Sequence, residues 1–269
     1  MRFAHLSDFH IIKFKPEKEP KHYNLGIFDD GTRLIKAIDT AVNCTEKPDF
    51  FVFTGDLIHE GTEQDYSYLK TIIDDHTKGI PYFMVLGNHD RHDAFYKGFL
   101  GIEQDGAYFY QKMLGDLRII GLDTNYSGST SSGTITQGQL SFLNDTLASN
   151  APCGTIVLLH HPPIPTPHRL FNNALLNDLS CIRRALTGSD VFLVLSGHMH
   201  CMGTAIENNI LYASSASTTF MLDPTTLINE DIPIGSAKVI GHGGLLLGSI
   251  DQRQVSLCYT EIHHFDSSI

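Results

Sequence analysis

Tryptophan is absent from the 269 residues, and by itself that excludes nothing. Other scarcities say more. The five cysteines, Cys44, Cys153, Cys181, Cys201 and Cys258, include no CxxC pair, so zinc-finger and thioredoxin-like readings fail. Odd in number and irregularly spaced, they suit small hydrophobes kept as free thiols in a cytoplasmic protein. No uninterrupted apolar stretch approaches the ~20 residues of a membrane span. The N-terminus runs straight into a strand pattern from Arg2 to Ser7, without the apolar core of a secretory signal, so the expectation is a cytoplasmic chain with no membrane partner. Basic residues are few: 19 Lys and Arg stand against 30 Asp and Glu, a formal net charge of −11. That balance repels phosphate backbones and disfavours nucleic acid as a partner. A small anionic substrate stays compatible, because bound metal ions would reverse the sign locally. No repeat, low-complexity tract or linker divides the chain, and residues 1–269 read as a single domain.

Apolar residues at 42% provide for a sizeable core. Strand patterns are predicted at Arg2–Ser7, Asp49–Thr54, Tyr82–Leu86, Ala107–Met113, Arg118–Asp123, Thr155–His160 and Val191–Ser196. Several are continuous apolar runs, as strands buried on both faces require. Helical spacing is predicted between them at Thr32–Cys44, Glu63–His76, Thr136–Ala148 and Asn172–Leu186, with Thr136 and Gln139 spaced as a capping box. This alternation implies an α/β fold. After about residue 200 the pattern changes to short strands, at Thr204–Glu207, Ile210–Ser214, Thr218–Leu222, Leu245–Asp251 and Gln254–Glu261. Asn208-Asn209 is the turn of a hairpin, and Asp223–Gly244 reads as a loop. The expectation is that this region builds a second sheet packed on the first.

Histidine is abundant, at 15 residues. Nine of them, His5, His22, His59, His76, His92, His168, His242, His263 and His264, read as surface or rim. The other six fall in five motifs: Asp8-Phe9-His10, Gly55-Asp56, Gly87-Asn88-His89-Asp90, His160-His161-Pro162-Pro163 and Gly197-His198-Met199-His200. Each motif follows a strand pattern, and strand carboxyl ends are where α/β sheets form their crevices. Carboxylate, imidazole and amide donors suit borderline-to-hard divalent or trivalent metals. In an extended segment, positions i and i+2 face the same way, so Asp8 with His10, and His198 with His200, can each reach one ion. Glycine before Asp56, Asn88 and His198 permits close backbone approach.

These five elements, in this order, resemble the calcineurin-like metallophosphoesterases over roughly residues 1–220. The openings Ala-His-Leu-Ser-Asp-Phe-His and His-His-Pro-Pro are most similar to class III cyclic nucleotide phosphodiesterases and bacterial glycerophosphodiesterases. The resemblance implies a four-layer αββα sandwich and a dinuclear phosphodiesterase acting on small phosphodiesters, a cyclic nucleotide such as cAMP or a glycerophosphodiester. It implies two metal ions, Fe, Mn or Zn, an Fe/Mn pair among the combinations. Carried over motif by motif, one metal takes Asp8, His10, His200 and a bridging Asp56. The other takes Asp56, Asn88, His160 and His198. His160 and His161 compete for one position: the motif assigns His160, leaving His161 beside it or facing substrate, and a bulge at the strand end would exchange them. A hydroxide between the metals would attack phosphorus in line, with His89 as general acid or phosphate stabiliser. Asp90 would orient a histidine or serve as a turn carboxylate. The loop after the first motif contacts substrate in this family, which points to His22 and Asn24. Dimers are common in that branch, so a homodimer is implied, with the segment after about residue 200 contributing. Competing activities are a nuclease, a nucleotide pyrophosphatase or a phosphomonoesterase of the same family; a catalytically dead scaffold would need lost ligands, and none is lost.

Overall fold

Phe50, Phe51, Val52 and Phe53 are all fully buried. Alternate residues point in opposite directions: Phe51 and Phe53 join one hydrophobic cluster, Phe50 and Val52 another. The same division recurs at Ile156 and Leu158 against Val157 and Leu159. Both runs are therefore central strands covered on both faces, the reason they read as continuous apolar stretches. Burial of each such side chain contributes ~1.5–3 kcal/mol.

A computed structural model describes residues 1–14, 29–125, 132–165, 172, 175–177, 179–223, 239–240 and 243–262. In chain order the strands are β1 (Arg2–Leu6), β2 (Phe50–Thr54), β3 (Tyr82–Val85), β4 (Tyr110–Leu114), β5 (Leu117–Gly121), β6 (Thr155–Leu158), β7 (Val191–Ser196), β8 (Gly203–Glu207), β9 (Ile210–Ser214), β10 (Met221–Leu222), β11 (Val239–Ile240), β12 (Gly243–Asp251) and β13 (Gln254–Ile262). The helices are α1 (Thr32–Val42), α2 (Glu63–His76), α3 (His92–Phe95), which runs into a π-helical turn at Tyr96–Leu100, α4 (Gln137–Leu147) and α5 (Leu179–Leu186). One sheet has the order β13-β12-β1-β2-β3 and the other β4-β5-β6-β7-β9-β8. Both are mixed: β1, β2 and β3 are parallel with β12 antiparallel to β1, and β5, β6, β7 and β9 are parallel with antiparallel outer strands.

Three clusters separate four layers. Leu34, Ile38, Leu69 and Ile73 of α1 and α2 pack on Ala4, Leu6, Phe51 and Phe53. Between the sheets, Phe3, Phe50 and Val52 meet Ile119, Ile156, Leu193 and Leu195. Leu143, Ile182 and Leu186 of α4 and α5 cover the far face on Ile120, Val157 and Val194. This is the αββα sandwich expected from the sequence.

Several local expectations change. The strands after residue 200 do not form the second sheet by themselves. β8 and β9 extend one sheet, while β12 returns to pair with β1 in the other and carries β13 at its edge. The stretch predicted as a loop contains β11, paired with β10, and the start of β12. Helix α3 and its π-helical turn were not anticipated, and α5 begins at Leu179 rather than Asn172. Thr136 caps α4 by accepting from Gln139 N–H at 3.1 Å, yet the Gln139 side chain does not close the box. It pairs with the backbone N–H and carbonyl of Asp123, at 2.8 and 2.9 Å, and ties α4 to the end of β5. No helix among the described residues is long and apolar enough to cross a membrane.

Candidate metal centre

All five motifs lie just past the carboxyl ends of parallel strands: Asp8 and His10 after β1, Asp56 after β2, Asn88 to Asp90 after β3, His160 and His161 after β6, and His198 and His200 after β7. Their backbones are not extended. Asp8, His10, Asp56, His198 and His200 all take left-handed conformations, with φ of 54, 46, 49, 71 and 48°. Each costs a non-glycine residue ~1–2 kcal/mol, so the surroundings must impose it. Asp8 N–H and His10 N–H donate to the carbonyls of Gly55 and Asp56 at 3.0 and 2.9 Å, which zips the first motif to the second. Convergence of side chains two residues apart thus comes from these left-handed turns, not from strand alternation. Gly55, at φ +90°, sits where a Cβ would come within 2.6 Å of His160 Nδ1, so only glycine admits both the turn and the histidine.

Asp8, His10, Asp56 and His200 converge in one buried cluster whose donor atoms lie within 4.8 Å of one another. His10 Nε2 is 3.0 Å from His200 Nε2 and 3.5 Å from Asp56 Oδ2, and His200 Nε2 is 3.4 Å from Asp8 Oδ1. Donors bonded at ~2.0–2.2 Å to a shared ion stand roughly 3 Å apart, so the spacing fits a metal. Asp56 Oδ2 also faces the other side, 3.4 Å from His160 Nε2, which lies 3.1 Å from Asn88 Oδ1. His160, His161 and His198 form a neighbouring group. Asp56 therefore sits between two sets of donors.

The outer nitrogens of these rings are anchored. His160 Nδ1 donates to the Thr54 carbonyl at 2.6 Å and His200 Nδ1 to the Phe220 carbonyl at 3.2 Å. A carbonyl only accepts, so Nδ1 carries the proton and the Nε2 lone pair points inward, the arrangement that holds a metal-binding imidazole in its tautomer. His161 stands in the neighbouring group with His160 and His198. It is fully buried, its Nδ1 pairs with Thr124 Oγ1 at 2.7 Å, its ring lies 4.4 Å from that of His198, and its Nε2 has no partner among the described residues. Of the two adjacent histidines, only His160 is seen to face Asp56 and Asn88.

Charge in the cluster is strongly displaced. Burial is the largest influence on Asp56 and would raise it, but His160, His89 and His10 outweigh it and hold its carboxyl well below the usual range. Burial would lower His160; the Asp56 carboxylate overcomes this and pushes it up to about 9. Without metal, a proton occupies the place a cation would take. Burial lowers His198 to about 3.

Asp90 does not orient a histidine through any bond seen here. Its carboxylate accepts from the backbone N–H groups of Leu57, Ile58 and Gly87 and from the Tyr66 hydroxyl. It clamps the Asp56 loop against the Asn88 loop. His89 N–H completes the join by donating to Asp56 Oδ1 at 2.9 Å. The His89 side chain is 29% exposed, unlike the buried Asp8, His10, Asp56 and His160, and so is open to a bound substrate. His59 is a contributor that sequence reading assigned to the rim. Its Nδ1 is 3.1 Å from His10 Nδ1 and its ring stacks on His89 at 4.3 Å. Its only local signal is its place three residues after Asp56. His22 and Asn24 lie outside the described residues.

Comparisons with known proteins bear on the family and the fold. The family model for calcineurin-like phosphoesterases matches residues 1–202. A probable cyclic nucleotide phosphodiesterase of Rhodococcus erythropolis is 34% identical over 227 residues, 82% of this chain and 71% of the relative. A cAMP/cGMP dual specificity phosphodiesterase of Mycobacterium tuberculosis is 30% identical over 263 residues, 88% of this chain and 80% of the relative. Among solved structures, a dimetal phosphatase from Danio rerio superposes with a TM-score of 0.63 at 11% identity, covering 98% of this chain and 99% of that one, which speaks for the fold alone. The chain belongs to the calcineurin-like phosphoesterase family.

Proposed function

We propose that the chain is a dinuclear phosphodiesterase for small phosphodiesters, cyclic nucleotides first and glycerophosphodiesters second. The observation that carries this is Asp56, whose carboxylate stands between two sets of inward-facing donors. In this reading Asp8, His10, Asp56 and His200 hold one ion, and Asp56, Asn88, His160 and His198 hold the other. When bound, the two ions lower the pKa of coordinated water and offset charge on the phosphoryl oxygens. Fe, Mn and Zn all suit the mixed imidazole, carboxylate and amide donors.

The protein's own groups do the rest. Nδ1–H donation from His160 and His200 to carbonyls keeps both Nε2 lone pairs turned inward. Asp90 fixes the distance between the loops that carry Asp56 and Asn88. His89 Nδ1 faces Glu60 Oε1 at 3.8 Å, which leaves Nε2 for the substrate. From there it protonates the leaving oxygen, a role that contributes ~10²–10⁴-fold. The full burial of His161, equal to that of His160, speaks against a substrate contact. The net charge of −11 argues against a nuclease. Diester preference is supported by the names of the two bacterial relatives.

The test is to purify the chain, count its metals and compare bis(p-nitrophenyl) phosphate with p-nitrophenyl phosphate, then cyclic AMP with a glycerophosphodiester. Two metals per chain with faster diester cleavage is expected. A strong monoester preference would overturn the substrate class, and two bound metals without hydrolysis would overturn the activity.

A further inference from the structure

Outside the five motifs lies a run of small residues, Ser214, Ser215, Ala216, Ser217, Thr218 and Thr219, five of them with hydroxyls, followed by Phe220. It leaves the end of β9 and crosses from one sheet to the other. Ser215 N–H donates to the Ser196 carbonyl at 3.1 Å, Thr218 N–H to the Ser7 carbonyl at 3.0 Å, and Gly244 N–H to the Ser217 carbonyl at 3.0 Å. Arg33, from α1, donates to the Thr219 carbonyl. The segment is thus a strap fastened to β7, to the end of β1, to β12 and to a helix.

Two of its side chains converge on one atom. The Ser217 hydroxyl donates to the Asp8 carbonyl at 2.7 Å, and the Thr219 hydroxyl lies 3.1 Å from the same oxygen and 2.9 Å from Ser217 Oγ. Two hydroxyl protons are shared around this triangle of oxygens. Ser217 Oγ also accepts the backbone N–H groups of Thr219 and Phe220, at 3.0 and 3.3 Å. All of these groups except Phe220 are buried. Asp8 is one of the left-handed residues of the site. With its N–H on Gly55 and its carbonyl on this pair of hydroxyls, both peptide planes flanking Asp8 are held, and the direction of its carboxylate with them.

The far end of the strap holds a second member of the same cluster. The Phe220 carbonyl accepts His200 Nδ1–H at 3.2 Å, Leu222 N–H donates to the His200 carbonyl at 3.0 Å, and the Phe220 ring lies 4.2 Å from the His200 ring. Among the described residues, none of these bonds runs to Asn88 or His160.

We propose that Ser217, with Thr219, is a positioning residue for one metal position only, the one formed by Asp8, His10, Asp56 and His200. The strap presets Asp8 and the His200 tautomer, and none of the bonds above runs to Asn88 or His160; His198 is joined to this position through its backbone N–H, which donates to the Asp8 carboxylate at 3.1 Å. This rests on the two-metal reading above, and the experiment separates the two.

Manganese is titrated calorimetrically into the metal-free full-length chain, with bound metal counted and the fold checked by circular dichroism. The wild type is expected to take up two ions. Ser217→Ala and the isosteric Thr219→Val are each expected to weaken one ion by ~10–100-fold and leave the other unchanged, as loss of an outer partner does. Thr219→Ser, which keeps the hydroxyl, and Ser215→Ala, whose hydroxyl serves the His5 carbonyl at 3.2 Å, are expected to bind like the wild type. A merely structural role would lower thermal stability without separating the two ions. Two wild-type affinities in Ser217→Ala and Thr219→Val, or equal loss of both ions, would overturn the proposal while leaving the two-metal reading intact. If Ser217→Ala does not fold, the Thr219→Val and Thr219→Ser pair decides. A wild-type chain that binds no manganese overturns the two-metal reading and this proposal together.

Discussion

His59 lies with its Nδ1 3.1 Å from the Nδ1 of His10, while its ring stacks on His89 at 4.3 Å and 22°. One side chain outside the motifs therefore touches both a proposed ligand and the proposed proton donor. With His10 Nε2 turned to Asp56 and His200, its Nδ1–H donates and His59 Nδ1 accepts. The two contacts can be separated. His59→Phe keeps a ring for His89 and removes the acceptor for His10, so it should weaken metal binding ~10–100-fold. His59→Asn keeps an acceptor and removes the ring, so it should retain metal and lower kcat. Metal titration beside steady-state kinetics of both variants checks this; identical behaviour of the two would contradict it.

The chemistry of the site was legible in the sequence because it is local in residue type. Asp8, Asp56, Asn88, His160, His198 and His200 each follow an apolar run, and the runs proved to be parallel strands. The backbone that makes them converge was not legible. Strand alternation would turn Asp8 and His10 to one side, but β1 stops at Leu6 and left-handed turns do the work. Left-handed aspartate and histidine carry no local signature, since the conformation is imposed by bonds such as His10 N–H to the Asp56 carbonyl. The same holds for His59, whose partner His10 is 49 residues away. Strand placement after residue 200 failed for a related reason. Short apolar runs mark β9 and β12 alike, while the choice of sheet depends on whether β7 or β1 is the neighbour. Gln139 had the spacing of a capping residue, but the β5 end competed for its amide and won.

Asp90 and Tyr66 give a graded test of the clamp between the Asp56 and Asn88 loops. Tyr66→Phe removes one of four donors, and should cost about 1 kcal/mol with metal binding retained. Asp90→Ala leaves three buried backbone N–H groups without acceptors, each worth ~1–3 kcal/mol, and should unfold the loop pair or the chain. Denaturant melts of the two variants give the comparison. Equal, small losses would mean that the carboxylate is not the clamp.

Asp56 and His89 should part company on substitution. Asp56→Asn removes the charged oxygen pair facing both donor sets and should lose both metals. His89→Ala removes no proposed ligand and should keep two metals and the fold, while turnover falls ~10²–10⁴-fold. Metal analysis and initial rates decide. Two ions in Asp56→Asn would refute the bridge, and unchanged turnover in His89→Ala would refute the proton donor.

Acid stability of the metal-free chain should depend on His5, which the sequence placed at the surface or rim and the structure buries. His5, on β1, is fully buried; its Nε2 pairs with Thr54 Oγ1 at 2.8 Å and its Nδ1 has no partner among the described residues. Burial pushes its pKa down from 6.5 to about 3. The sign follows from proton counting: between those values the unfolded chain binds a proton at His5 that the folded chain refuses. Stability attributable to neutral His5 is therefore intact above 6.5 and falls as pH drops from 6.5 towards 3, by on the order of 4 kcal/mol at the lower limit. His5→Gln retains a polar atom for Thr54 and cannot take up the proton, so its acid-unfolding midpoint should lie at lower pH than that of the wild type. Circular dichroism through an acid titration of both chains measures the shift. A midpoint unchanged or higher in His5→Gln would show that His5 does not drive acid unfolding, leaving the half-buried His198, lowered to about 3 by desolvation, as the group to test next.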